Sequence, residues 1–203
     1  MITFHQNVES FADFSLNLVE SNSSSSSTIF VADPSLFTSE ILDRPPSSKQ
    51  SVAFINKFER TNVVLVESLS ELIDILKRSS YGGDTDVIRH HDSAIGFYGI
   101  FSYLLQMGCG VSDDVSFMDM EDFSAQSVNY IMHFLYNLAY YRKIEVRICE
   151  TKKGPRFHEN TNSYPPFWYN VLPNIFCETV EDDDMSMEIE IGVILSKWVQ
   201  NII

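Results

Sequence analysis

Five side chains of the types that bind metals crowd one short stretch: Asp84, Asp86, His90, His91 and Asp92. Carboxylates and imidazoles at this density are what a zinc or other transition-metal centre requires. Their spacing argues against a shared ion. Adjacent histidines diverge on a helix and face opposite sides of a strand, so His90 and His91 do not converge. No H-E-x-x-H and no C-x-x-C completes a ligand set. The stretch reads as a solvated loop. A second cluster, Asp113, Asp114, Asp119, Glu121 and Asp122, has the oxygen donors of a calcium loop. Such a loop needs glycine at its sixth position. Counted from Asp113 or Asp114, that position holds Met118 or Asp119. The acids better suit a helix start, where Asp122 or Ser124 can cap and negative charge complements the dipole. The sequence therefore predicts no metal site.

Nucleophilic chemistry has little more support. Cys109 sits between Gly108 and Gly110 at the end of an apolar helical stripe. A helix C-terminus disfavours a thiolate, so Cys109 is assigned to packing. His133 has no serine or cysteine set beside it by a recognisable motif. G-x-S-x-G, the P-loop and G-x-G-x-x-G are all absent. No catalytic residue, cofactor or enzymatic activity is predicted. An enzyme of unrecognised type would need a pocket lined by His90, His91 or His133 with carboxylates.

Recognition chemistry is more visible. Arg142, Lys143, Arg147, Lys152, Lys153 and Arg156 place six of the 14 basic residues within 15 positions. Such a segment can dock an acidic protein surface or an anionic head group. Tyr164-Pro-Pro-Phe-Trp-Tyr169 sets two prolines among aromatic rings, a composition suited to a groove. Its alternative role is to pack Phe167 and Trp168 back onto the core. The six basic residues with Phe167 and Trp168 form the candidate partner-binding set. An acidic run, Glu181 to Asp184 with Glu178, Glu188 and Glu190 around it, reads as a solvated segment or as a mate for the basic one.

Most periods that would position these residues are helical. Val8, Phe11, Phe14 and Leu18 fit a first amphipathic helix. Asp33-Pro34 suits the start of a second, carrying Leu36, Phe37 and Ile41. Val52, Ile55 and Phe58 suggest another. Ser68-Leu-Ser-Glu71 matches a capping box ahead of Leu69, Leu72, Ile73 and Leu76. Val63 to Val66 is β-branched, a short strand or an extended lead-in. Phe97, Phe101, Leu104 and Leu105 form a stripe that stops at Gly108. Val128, Ile131, Met132, Leu135, Leu138 and Ala139 give the strongest amphipathic pattern. Ile191, Ile194, Leu195, Trp198 and Ile202 share one face of a last helix. The breaks are the Ser-rich SNSSSSST at 21–28, the prolines Pro45 and Pro46, the glycines Gly82 and Gly83, and the stretch 152–166. The expected fold is mainly α, about seven or eight helices with long loops.

The stretch from Gly99 to Arg142 resembles the C-terminal half of a calponin homology domain. The residues that carry the likeness are Phe101, Leu104, Leu105, Gly108, Cys109 and Gly110, then Phe117, Asp119, Glu121, Asp122 and Phe123, then Val128, Ile131, Leu135 and Leu138. The match is best over 93–142. Upstream, the first-helix tryptophan and the L-x-D-G turn usual in the family are missing. The resemblance implies a helical bundle over 47–148, with an N-terminal helical segment and Ser-rich linker at 1–46 and a C-terminal extension at 149–203. It implies surface recognition without chemistry, as in single-domain signalling and scaffold members. The implied partner is a cytoskeletal or small-GTPase signalling protein, with actin itself doubtful on an acidic chain. The runner-up expectation is an unrelated helical adaptor that binds one partner through the 164–169 loop or the C-terminal helix.

Composition sets the outer bounds. The 203 residues carry 28 acidic and 14 basic side chains, a net charge of −14. That argues against nucleic acid and polybasic membrane binding, both of which need clustered cations. With 15 Phe, 9 Tyr and 44% apolar residues, the chain is too hydrophobic to be wholly disordered. Three widely spaced cysteines fit a reducing cytoplasm better than a disulfide scaffold. The lone sequon at Asn22 adds little. No signal peptide and no membrane span is predicted.

Overall fold

The computed structural model of the chain describes residues 1–5, 10–21, 26–32, 59–82, 87–108, 124–150, 171–173 and 188–202. Short runs rich in β-branched and aromatic residues build its strands. They form β1 (Ile2–His5), β2 (Ser26–Val31), β3 (Thr61–Leu65), β4 (Asp92–Tyr98) and β5 (Glu145–Cys149). An antiparallel pair follows, β6 (Val171–Pro173) and β7 (Glu188–Glu190), and then β8 (Asn201–Ile202). Six of these strands make one sheet in the order β3-β2-β4-β5-β1-β8. Every neighbouring pair in it is parallel.

This corrects the mainly α, calponin-homology-like bundle expected from the sequence: the chain is α/β, and it is not all-α. The reason is burial on both sides. A parallel sheet covered on two faces loses the alternation that marks a half-exposed strand and reads as a continuous apolar run. All six residues of β2 and the last five of β4 are buried. Phe97 illustrates the consequence. Its spacing to Phe101 and Leu104 is helical, yet Phe97 belongs to β4. Gly99, at φ +67°, turns the chain between the strand and the next helix, and its N–H donates to the Cys149 carbonyl at 2.8 Å. A left-handed backbone there favours glycine.

The helices are α1 (Phe11–Ser21), α2 (Leu69–Ser80), α3 (Ile100–Gly108), α4 (Ala125–Tyr141) and α5 (Ile191–Leu195). The expected cap of α2 is present, with Ser68 Oγ accepting from Glu71 N–H at 3.2 Å. Ser124 caps α4, with Ser127 closing the box. The last helix is shorter than its pattern, because Ile202 lies in β8 and Trp198 follows the helix. The predicted helices at 34–41 and 52–58 lie outside the described residues.

α1 packs alone among the described helices on one face of the sheet. There Phe11, Phe14 and Leu18 meet Ile29, Val31, Ala94, Tyr98 and Cys149. α2, α4 and α5 cover the other face, over Ile2, Phe4, Phe30, Phe97, Val146 and Ile148. Phe30 and Phe97 stack there at 4.9 Å. The division follows connection direction. β1→β2 runs one way along the sheet, while β3→β4 and β4→β5 run the other. Crossovers of one hand must then lie on opposite faces. The sheet draws β1 and β2 from residues 1–46, β3, β4 and most of β5 from 47–148, and the end of β5 with β8 from 149–203.

Candidate functional site

Open α/β sheets seat ligands beyond the carboxyl ends of their strands, where strand order reverses. Here that point lies between β2 and β4, and the helix that starts beside it is α3. Its N-terminus is already occupied. Glu150, the residue after β5, accepts from Phe101 N–H at 3.2 Å, Ser102 N–H at 2.8 Å and the Ser102 hydroxyl at 2.7 Å. Gly99 has no side chain to cap the helix, so a carboxylate from the neighbouring strand does it. The first-turn N–H groups and the helix dipole favour that negative charge. Burial works the other way and is the larger effect. It raises the Glu150 pKa to about 7, against the lowering effect of the Ser102 and Phe101 hydrogen bonds. Ser102 spends its hydroxyl proton on this carboxylate. Cys149, at the end of β5, has no solvent exposure. His5, at the end of β1, lies edge-on to the Phe14 ring at 5.7 Å.

The amino edge of the sheet holds a second buried carboxylate. Asp92 Oδ1 accepts from the Ser26 hydroxyl, and Oδ2 accepts from Arg89 N–H at 2.9 Å. Thr28 Oγ1 lies 2.7 Å from Asp92 Oδ2 and 3.1 Å from the Val87 carbonyl, and its single proton serves one at a time. Asn62 also donates to Val87 O, at 3.0 Å. This ties β2, β3 and the 87–92 turn together. It also explains why Ser26, Ser27 and Thr28 form strand although their composition suggests a linker: the Ser26 and Thr28 hydroxyls have a buried acceptor in Asp92, and the Ser27 hydroxyl pairs with that of Thr61 at 3.0 Å. Of the residues with metal-binding types, Asp92 is thus committed to hydroxyls, while His90 and His91 are exposed. Asp84, Asp86 and the 113–122 acids lie outside the described residues. Among the described residues no group of three or more His, Cys, Asp or Glu could hold a metal.

Among the described basic candidates, Arg142 and Arg147 point to different neighbours. Arg142 reaches the Arg89 carbonyl at 2.8 Å and the Ser79 carbonyl at 3.5 Å, fastening the end of α4 to its neighbours. Lys143, at φ +58°, places its ammonium 4.8 Å from the Tyr140 ring centre. Arg147 lies toward α1, paired with Glu145 at 2.9 Å and donating to the Asn17 carbonyl at 3.1 Å. Lys152, Lys153, Arg156, Phe167 and Trp168 lie outside the described residues.

An aromatic surface on α4 was not singled out by any motif. The rings form one connected series. Tyr81 and Tyr130 both meet Phe134 edge-on, at 6.3 and 5.1 Å. His133 bridges Phe134 and Trp198, at 5.7 and 6.1 Å. Trp198 meets Tyr136 at 5.6 Å, Tyr136 stacks on Tyr140 at 5.8 Å, and Tyr140 meets Tyr141 at 5.1 Å. Tyr81 and Tyr141 are 71% and 72% exposed, and Tyr130 and Tyr140 both 54%, so these four rings face outward, while Phe134, which links two of them to His133, is buried. α4 also carries no Asp, Glu, Lys or Arg in 17 residues, although charged residues make up 21% of the chain. A surface helix normally turns charge to the solvent. That missing charge was the sequence signal. It was masked because the buried stripe of the same helix dominates the hydrophobic pattern.

The fold makes this chain an α/β protein built on a parallel sheet with helices on both faces. No protein-family model matches the chain, and no curated protein matches it, so neither bears on the likeness to calponin homology domains over 93–142. Among the described residues no helix is long and apolar enough to cross a membrane.

Proposed function

We propose that this chain is a non-enzymatic protein-interaction module that docks its partner on the aromatic face of α4 together with Trp198. The observation that carries this is the charge-free, tyrosine-rich outer face of α4 on a molecule of net charge −14. Interface centres are depleted of charge and enriched in Tyr and Trp, which also supply most hot spots. The carboxyl edge supports the non-enzymatic half of the proposal, since Glu150 sits at the helix N-terminus where an anionic substrate would bind. The basic segment is a weaker docking candidate. Arg142 and Arg147 are engaged in holding elements together, and they reach toward different faces of the sheet. The C-terminal segment contributes through Trp198, which its hydrogen bond to Asn129 at 3.0 Å fixes beside α4. A cytoplasmic setting fits the odd number and wide spacing of the cysteines.

The test is capture by the immobilised chain, wild type against Tyr130→Glu/Tyr140→Glu. Both rings are half-exposed, so the variant should keep its circular dichroism spectrum. Losing two hot-spot rings should weaken partner binding by about 30-fold or more. Equal capture by the folded variant would remove this face as the docking site.

A further inference from the structure

We infer that the amino edge of the sheet, at the C-terminal end of α4, docks an acidic segment of a protein partner. This rests on the docking reading of α4 and names the partner's chemistry. The first ground is where the topology gathers cations. The chain enters β3 from Arg60, β4 from Arg89 and β5 from Arg142 and Lys143. α2 runs back along the parallel strands, so its last turn brings Lys77 and Arg78 to the same edge. Arg142 fixes the junction, since its guanidinium donates to the carbonyls of Ser79 and Arg89. Six of the eight Lys and Arg among the described residues therefore lie along the amino ends of β3, β2, β4 and β5. Four neighbouring strands span about 15 Å. The second ground is that this charge is not spent internally. Among the described residues the ion pairs are Arg78 with Asp74, at 4.0 Å, and Arg147 with Glu145, at 2.9 Å. No carboxylate among them pairs with Arg60, Lys77, Arg89, Arg142 or Lys143. Asp92 is buried and committed to hydroxyls, and Asp84 and Asp86 lie outside the described residues. Helix dipoles account for cations at the ends of α2 and α4, but Arg60 and Arg89 precede strands. With 28 acids to 14 bases in the chain, five cations left unpaired at one edge point to an acid from outside. The third ground is continuity with the rings. Tyr81 and Tyr141, the most exposed of them, end α2 and α4 at this edge, and the Lys143 ammonium lies 4.8 Å from the Tyr140 ring centre. Arginine beside tyrosine is the composition of interface hot spots. Net charge then selects the anion. A long polyanion such as a nucleic acid strand meets the repulsion of the whole chain at −14, whereas a short acidic segment feels mainly the charges within a Debye length of about 8 Å.

Fluorescence anisotropy on the full chain reads the outcome with two labelled probes, a peptide of about 12 residues with Leu interspersed among Glu, and an oligothymidylate of about 12 nucleotides. The chain should bind the peptide with a Kd of about 10–100 μM in about 50 mM salt, and about 10-fold more weakly in about 300 mM salt. The oligonucleotide should bind about 10-fold more weakly than the peptide. Arg89 and Lys143 are exposed, so Arg89→Gln/Lys143→Gln should stay folded and lose about 10-fold in peptide affinity. Arg60→Gln/Lys77→Gln repeats the test at two further exposed cations should the first variant misfold. Asn17→Asp/Val193→Glu makes the same change in net charge on α1 and α5, and should alter the affinity by less than about 2-fold. No peptide binding at low salt would overturn the inference. Equal losses in the Gln and the Asp/Glu variants would also overturn it, because net charge rather than this edge would then govern binding. An oligonucleotide bound as tightly as the peptide would replace the protein partner with a nucleic acid. Peptide binding kept by Tyr130→Ala/Tyr140→Ala but lost by Arg89→Gln/Lys143→Gln would sustain the basic edge and remove the α4 face from the docking site. The reverse pattern would remove the edge and leave the face standing.

Discussion

Glu150 shows what one residue can carry that no motif announces. In the sequence it is an acid between strand-forming residues and a lysine pair. In the structure it is wholly buried and holds the start of α3. Its folded pKa of about 7 lies above the ordinary 4.5, so between those values the folded protein binds more protons than the unfolded chain. Stability should therefore be greatest near and below pH 4.5, as far as this group is concerned, and fall as pH rises through about 7. The difference is on the order of 3 kcal/mol. Urea unfolding at pH 5 and pH 8 measures it. Glu150→Gln keeps an acceptor oxygen but cannot ionise, so its slope over this window should flatten. An unchanged slope in the Gln variant would show that another group is responsible. Asp92 makes the opposite point. Its neighbours His90 and His91 suggest chemistry, but its oxygens are spent on Ser26, Thr28 and the Arg89 N–H. Removing them with Asp92→Ala should cost about 2–4 kcal/mol, read as a lowered denaturation midpoint at unchanged m-value, because buried donors lose a charged acceptor. A midpoint unmoved by the substitution would mean that water satisfies those donors.

At the scale of the element, helix existence was legible and strand existence mostly was not. α2 and α4 declared themselves by period and cap, since each keeps one polar side. β4 has almost no polar side to keep, and its apolar run merges into the neighbouring helical pattern, while β2 starts inside the Ser-rich run and β5, with Glu145 and Arg147 half-exposed, lies inside the basic segment. Gly96 marks how closely one such strand is covered. A Cβ at this position would lie 2.9 Å from Phe14 Cε1 and 3.1 Å from Leu18 Cδ2. Gly96→Ala should push α1 off the sheet and cost about 1–3 kcal/mol, the usual range for overpacking. Thermal unfolding reads this directly, and an Ala variant as stable as wild type would show that Phe14 has room to turn. The same close fit makes the first amphipathic helix, α1, part of the core.

Across the whole molecule, the sheet joins the ends of the chain. β1 lies between β5 and β8, and Ile2 N–H donates to the Gln200 side chain at 3.1 Å while Gln200 N–H donates to the Ile2 carbonyl at 3.0 Å. Ile191, Ile194 and Leu195 are at most 4% exposed within the shared core. Each such side chain contributes about 1.5–3 kcal/mol by burial, and a domain has only about 5–15 kcal/mol in total. A chain ending at residue 150 should therefore lose its cooperative unfolding transition, which calorimetry would detect; a truncated chain that still melts cooperatively would show that α5 and β8 are accessory. The sequence by itself determined the composition of the core, the caps of α2 and α4, the turn after Ser80, the acidic charge and the absence of recognised catalytic motifs, because these depend on residues near one another in the chain. Only the tertiary structure decided that the fold is α/β, that Glu150 caps α3 and that the α4 rings join Tyr81 and Trp198 in one series. Each of those joins residues far apart in the chain, and parallel pairing, burial and ring contact are set by partners that local spacing does not name.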